Sequence, residues 1–329
     1  MRAIDGHSVT RGIGRPAGML GLLGALTVTC VAAVSGSIAP GRVAADSTTV
    51  ILLGTGTPYP DPKAEGPAVA VTVGERLFLF DAGPGVVRQM TAAGLPVRGG
   101  PVTALFLTHL HSDHTLGYPD LIFTSWVMGR RGPLRVVGPR GTQAMTDHLL
   151  SAWKEDIAVR TDGLEHGTPG GYAVEVRETD GGVVYDSAGV RIAAIPVEHG
   201  SWARAFGYRV DTPEGRIVIS GDTRPCQALE EAAQGARLLI HEVYSAAHLA
   251  PERRPGGEDW PEYMRAFHTS DRELGGIAAR ARPALLVLYH MVRMGATDQE
   301  LLDGIRAGGY SGRAVVGTDL ARFPIVPGR

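Results

Sequence analysis

Cysteine is scarce in this sequence: Cys30 and Cys226 are the two in 329 residues. A disulfide-stapled scaffold and a thiolate-rich structural zinc ribbon are both excluded on that count. A basic surplus is also missing. The net charge is −2 at pH 7, so bulk charge supplies no electrostatic footprint for nucleic acid, and no clear nucleic-acid surface is expected. There is no short repeat and no low-complexity tract, and no linker divides the chain beyond residue 46. What remains is an ordinary globular composition, slightly rich in Gly and Pro and long enough to bury a sizeable core.

The N-terminus departs from that average. Arg2, Arg11 and Arg15 precede an uncharged run of apolar and small residues from Pro16 to Pro40, and Val43 and Ala45 then fit the small-residue cleavage rule before Asp46. Residues 1–45 read as a secretory signal peptide, which makes residues 46–329 the mature domain, secreted or at the cell surface. The alternative is a retained N-terminal membrane anchor, since the uncharged run is long enough to span. The "LTVTC" around Cys30 is a poor lipobox, and Arg11 and Arg15 do not form a twin-arginine pair. Cleavage leaves Cys226 alone, so no intrachain disulfide is available.

Beyond Asp46, short β-branched runs bounded by Gly and Pro alternate with helical patterns. Strands are expected at 48–54, 68–73, 77–81 and 102–108, and helices at 85–94 and 141–157. The second half repeats the style, with strands near 190–197, 205–211, 216–220, 237–241, 284–289 and 313–316. Its helices fall near 226–235, 271–281 and 298–307. Two such halves in succession predict an α/β fold of two sheets packed face to face with helices outside. Residues 54–67 and 250–263 read as long Gly/Pro-rich loops, a length that is often functional.

Metal-competent residues fall at the ends of apolar runs. Asp81 ends one strand, and His109, His199, Asp222, His241 and His290 follow or end others. "THLHSDHT" (108–115) is the densest stretch. His109 and His111 are two apart on extended backbone and face the same way. The turn that follows can aim that pair at one cation and Asp113 with His114 at a second. Imidazole and carboxylate are the donors of an open catalytic zinc site. A solvated His-rich turn is the competing reading of this stretch alone.

The stretch resembles the H-x-H-x-D-H signature of the metallo-β-lactamase superfamily, and the likeness runs from about residue 50 to 320. "LLGTGTP" (52–58), "PVEHGSWARAFGYRV" (196–210), "ISGDTRPC" (219–226), "LLIHEVYS" (238–245), "FHTSDRELGGIA" (267–278) and "LLVLYH" (285–290) resemble successive motifs of its ribonuclease Z-like branch. The resemblance implies a four-layer αββα sandwich and two bound Zn²⁺, with Mn²⁺ or Fe as alternatives. His109, His111 and His199 would hold the first cation, Asp113, His114 and His290 the second, and Asp222 would bridge them. Two metals about 3.5–4 Å apart would share a bridging hydroxide as nucleophile. Asp113 then belongs to the catalytic set, and His268, just before a capping box of Ser270 and Glu273, would protonate the leaving group with Glu242 orienting it. His241 reads as a buried structural residue and Asp81 as a support of the histidine ligands. "LGTGTP" lacks the Lys and spacing of a phosphate-binding P-loop.

Phosphodiester or sulfate-ester hydrolysis on a small-molecule or nucleotide-like substrate is the expected reaction. Lactone hydrolysis shares the ligand set and stays open. A tRNA 3′-processing activity is disfavoured, because only 22 residues separate His199 from Asp222 and leave no room for a long inserted arm. A Cys-ligated β-lactamase is excluded by Asp222. An iron-dependent redox protein of the same fold is the alternative of another class, although no flavodoxin domain fits in this length. Tyr59, Trp126, Trp202 and Trp260 are candidates to wall an aryl or nucleoside pocket, a membrane partner requires a retained N-terminus, and a homodimer stays open.

Overall fold

The structure, a computed structural model, describes residues 47–327. The expected signal segment, residues 1–45, lies outside the described residues. Strands β1 (Thr48–Gly54), β2 (Ala68–Val73), β3 (Arg76–Phe80), β4 (Val102–Phe106), β5 (Leu134–Gly138) and β6 (Val174–Glu178) form one sheet. The second holds β7 (Gly182–Ser187), β8 (Val190–Val197), β9 (Ala205–Thr212), β10 (Gly215–Ile219), β11 (Leu238–Tyr244), β12 (Leu286–Val292) and β13 (Ala314–Val316). The last strand, β14 (Arg322–Ile325), returns to pair antiparallel with β1, giving the order β14-β1-β2-β3-β4-β5-β6 against β13-β12-β11-β10-β9-β8-β7. Each sheet is antiparallel in one part and parallel in the other: β3 through β6 pair in parallel, as do β10 through β13.

Side chains alternate across each pleat and so build three separate apolar layers. Phe78, Phe80 and Phe106 point inward to meet Phe206, Tyr208, Ile240, Val287 and Tyr289 between the sheets. Leu77, Leu79, Leu105 and Leu107 point outward, under α1 (Val86–Ala92) and α3 (Tyr118–Val127) through Met90, Tyr118, Leu121 and Ile122. On the far side Leu239, Val243, Leu286 and Leu288 pack with Leu229, Leu274, Ala278, Leu301 and Ile305 of α6 (Gln227–Ala232), α8 (Asp271–Ala281) and α9 (Asp298–Ala307). This is the expected four-layer αββα sandwich. No helix among the described residues is long and apolar enough to cross a membrane.

Differences from expectation are local. The helix expected at 141–157 is two, α4 (Thr142–Ala152) and α5 (Lys154–Asp162), joined at Trp153; Glu155 and Asp156 favour a fresh N-terminus there by opposing its dipole. The long loop at 250–263 gives way to α7 (Trp260–Phe267). Asp259 caps it by accepting from the Glu262 N–H at 3.1 Å, and Pro261 sits in its first turn.

Candidate metal centre

The chemistry-bearing residues collect at the ends of strands from both sheets. β4 is followed by Thr108, His109 and His111, and the chain then winds into the single turn of α2 (Ser112–Thr115), which carries Asp113 and His114. That turn is stitched to the segment after β3: the Ala82 N–H donates to the His114 carbonyl at 2.9 Å and the Gly117 N–H to the Ala82 carbonyl at 2.8 Å. A Cβ at Gly117 would collide with the Gly83 carbonyl, so glycine is required at this crossing. β8 and β10 lead into His199 and Asp222, while β11 and β12 carry His241, Glu242 and His290.

Two groups of donor atoms result, each drawn within 4.8 Å: His109, His111, His199 and Asp222 in one, and Asp113, His114 and His290 in the other. Asp222 lies between them. Its Oδ2 is 3.9 Å from both His109 Nε2 and His199 Nε2 and 3.5 Å from His290 Nε2, while its Oδ1 is 3.4 Å from His114 Nε2. All seven residues singled out as ligands are brought together, and all but His111 are buried.

The outer face of three of these rings, His114, His109 and His199, is fixed by a hydrogen bond that settles which nitrogen is left with its lone pair. Asp81 accepts from His114 Nδ1 at 2.7 Å, from the Thr108 backbone N–H at 2.8 Å and from the Thr108 hydroxyl at 2.8 Å. With its proton given to Asp81, Thr108 Oγ1 accepts from His109 Nδ1 at 2.9 Å. The Phe267 carbonyl accepts from His199 Nδ1 at 2.7 Å. These three rings therefore turn Nε2 inward, whereas His111 turns Nδ1 inward. Asp81 and His290 reach these positions with φ of 60° and 43°, a left-handed backbone that non-glycine residues adopt at a cost of about 1–3 kcal/mol and that clusters at functional sites.

The field around His114 and His290 draws in positive charge, while burial holds His109, His111 and His199 below the ordinary histidine value and so neutral. At His114 burial opposes a proton, yet Asp222, Asp81 and Asp113 outweigh it and hold the ring well above its ordinary value; His290 is raised in the same way, chiefly by Asp222. Asp222 is held well below the carboxylate range, because His290 and His114 overcome its burial. His114 Nε2 and Asp222 Oδ1 are both buried with no hydrogen-bond partner. Inward lone pairs, an N/O donor set and carboxylates set among neutral imidazoles fit bound divalent cations.

His268 follows α7 and is buried beside Asp222 and His290, a third group of donor atoms within 4.8 Å. Its Nδ1 is 3.3 Å from Glu242 Oε2, off the hydrogen-bond line, and neither atom has a hydrogen-bond partner. Glu242 Oε1 accepts from the Thr269 N–H at 2.9 Å, which anchors the carboxyl. Burial pushes His268 down to about 4 and Glu242 well up, so both members of the pair tend to the neutral form. His241 is a buried side chain whose Nδ1 donates to the Glu242 carbonyl at 2.7 Å, and burial lowers it to about 4; it belongs to none of the donor groups.

Sequence reasoning singled out neither the Thr108 hydroxyl nor the Phe267 carbonyl. Thr108 carried a signal in standing directly before the first histidine, whereas a backbone carbonyl carries none. Of the aromatics expected to wall a pocket, Trp202 stands against His109 and His111, with ring centroids 5.9 and 5.0 Å away. Trp260 heads a stack on α7: Arg254 lies over it, and Tyr263 and Phe267 follow at 5.3 and 4.2 Å. Trp126 is instead buried against Tyr172, and Tyr59 is exposed.

Comparison with known proteins agrees with this geometry. A family model described as the Beta-lactamase superfamily domain matches residues 76–291. The chain is 35% identical over 285 residues to a Ribonuclease Z of Mycobacterium bovis (strain BCG / Pasteur 1173P2), covering 85% of this chain and 99% of that protein. Among solved structures, the metallo-β-lactamase fold protein YhfI from Bacillus subtilis shares the fold with a TM-score of 0.65 at 17% identity, covering 85% of this chain and 99% of that one. Human tRNase Z, short form, does so with a TM-score of 0.62 at 22% identity, covering 84% and 99%. Fold, site and family model define a metal-dependent hydrolase of the metallo-β-lactamase superfamily. Within that superfamily the chain belongs to the ribonuclease Z-like branch.

The match also weakens the case made from the missing arm. An alignment of 285 residues that fills 85% of this chain and 99% of the mycobacterial protein leaves that Ribonuclease Z no room for a long insertion either. A short span between His199 and Asp222 therefore does not separate this chain from proteins of that name.

Proposed function

We propose that this chain is a two-zinc phosphodiesterase of the ribonuclease Z kind, acting on RNA through its domain at residues 46–329. The observation that carries the reading is its collinearity with a Ribonuclease Z over 99% of that relative. The His268–Glu242 pair beside Asp222 supports it, since a proton donor is what an alkoxide leaving group needs. Low net charge argued against RNA only on average; one strand cut at its end needs a local cationic centre, not a basic protein.

In this proposal His109, His111 and His199 would hold one zinc and Asp113, His114 and His290 the other, with Asp222 available to both. When bound, the pair supplies a water of lowered pKa as nucleophile and neutralises charge on the ester oxygens. The protein's own residues do the rest. Asp81, Thr108 and the Phe267 carbonyl keep the lone pairs of His114, His109 and His199 directed inward. Closing the 3.3 Å approach of Glu242 Oε2 to His268 Nδ1 into a hydrogen bond would let the pair share a proton and leave His268 Nε2 as the donor facing the leaving oxygen. Asp113 and Asp222 hold the nucleophile's side of the centre in place. Residues 1–45 are proposed as a cleaved signal segment, so the substrate would be met outside the cytoplasm.

The lack of a basic surplus favours a nucleotide-like diester as the second reading. Residues 46–329 loaded with zinc should bind two equivalents and cleave a precursor tRNA and an aryl phosphodiester, leaving an aryl sulfate and a lactone largely intact. Iron content without ester hydrolysis, or lactone turnover without phosphodiester cleavage, would overturn the proposal.

A further inference from the structure

His111 differs from the other ligand-type histidines in what touches its outer nitrogen. Its Nδ1 is the inward atom, 2.9 Å from His109 Nε2 and 3.2 Å from His199 Nε2. Its Nε2 accepts a hydrogen bond from the Trp202 indole N–H at 2.8 Å. The indole stands edge-on to the ring, at 89°, and the Trp202 backbone N–H donates to the His199 carbonyl at 3.0 Å, so its place beside the site is set by the same turn that carries His199.

A neutral imidazole has one proton and one lone pair. His109, His199 and His114 each give the proton outward to an acceptor and keep the lone pair inward, as a ligand must. His111 does the reverse: by accepting from Trp202 on the outside it keeps its proton on Nδ1, where a cation would sit. Coordination through Nδ1 moves that proton to Nε2, and two N–H groups then face each other at 2.8 Å. A neutral His111 cannot satisfy the indole and a cation together.

We infer that Trp202 competes with the cation for His111 and so gates the His109, His111 and His199 site: filling the site turns the indole away, and removing the indole makes the site easier to fill. The inference rests on the two-zinc reading above. It reverses the usual expectation, because groups that support a ligand from outside typically cost about 10–100-fold in metal affinity when removed.

The sign of one measurement decides. Competition titrations with a zinc chelator should show Trp202→Phe binding its first zinc about two- to tenfold tighter than wild type, the worth of one lost hydrogen bond. Wild-type tryptophan emission should change as that zinc enters, and the change should be missing in Trp202→Phe; of the four tryptophans, Trp202 is the one bonded to a ligand-type histidine. Weaker or unchanged zinc affinity in the variant, or a wild-type emission indifferent to zinc, would overturn the gate. The wild-type emission test stands even if the variant folds poorly. A wild type that takes up no zinc at all would overturn the two-zinc reading itself, a result told apart by metal stoichiometry.

Discussion

Asp222 Oδ1 and His114 Nε2 lie 3.4 Å apart in the protein interior, and neither atom has a hydrogen-bond partner. The space between them accepts one positive charge, which is either a proton on His114 or a cation. That exchange makes stability depend on pH in opposite directions with and without metal.

In chelator-treated protein His114 has a folded value raised well above the ordinary 6.5. Its contribution to stability is therefore complete below about pH 6.5 and is lost as the pH climbs through the raised folded value. Zinc needs the deprotonated ring, so the gain in Tm on adding zinc should grow over that same climb. Thermal unfolding with zinc and with chelator, from about pH 6 to about pH 9, checks this. A zinc-induced gain that stays flat with pH, or that persists in His114→Ala, would count against it.

Asp222→Asn keeps the shape of the carboxylate but removes the charge that both donor groups share. Zinc content should fall from two equivalents towards one or none, and kcat by at least about a hundredfold. Elemental analysis beside steady-state kinetics measures both. Full occupancy with normal turnover would show that Asp222 does not span the pair.

His268→Ala should reduce kcat by roughly 10²–10⁴-fold on a diester with a poor leaving group and far less on an activated aryl diester. Glu242→Gln should follow the same leaving-group pattern more weakly, because it keeps the hydrogen bonding to Thr269 and removes the shared proton. Equal losses on both substrates would assign the pair a packing role instead of proton transfer.

Asp81→Asn leaves the ligand-type residues untouched yet disturbs His114 and, through the Thr108 hydroxyl, His109. We expect about a 10–100-fold loss of zinc affinity with the αββα core still folded. Circular dichroism and a zinc titration separate the two effects. A loss of fold without zinc sensitivity would place Asp81 in the architecture alone.

The ligand-type residues were legible because each stands where an apolar run stops, a pattern that survives without coordinates. His109, His199, Asp222 and His290 could be found that way, and the short apolar run at 77–81 read as the strand that became β3. Helix α7 was not legible: eight residues among Pro, Gly and acidic neighbours carry too little periodicity, although the Asp259 cap and Pro261 marked its start. The link from the Phe267 carbonyl to His199 could not be read either, since every residue has a carbonyl. Net charge said least about substrate, because an average over 329 residues is blind to a cluster of seven.

Helix α7 ends on Phe267, whose carbonyl steadies His199, and the very next residue is His268 beside Glu242. The Phe267 ring is wedged against Gly200, where φ is 52° and a side chain would collide with it. At the other end Arg254 lies 3.4 Å over the Trp260 ring. A rod only eight residues long thus has one tip in the catalytic interior and the other under a surface loop. Through α7 the loop at 250–259 is joined mechanically to both His199 and His268, one step removed from every ligand-type residue.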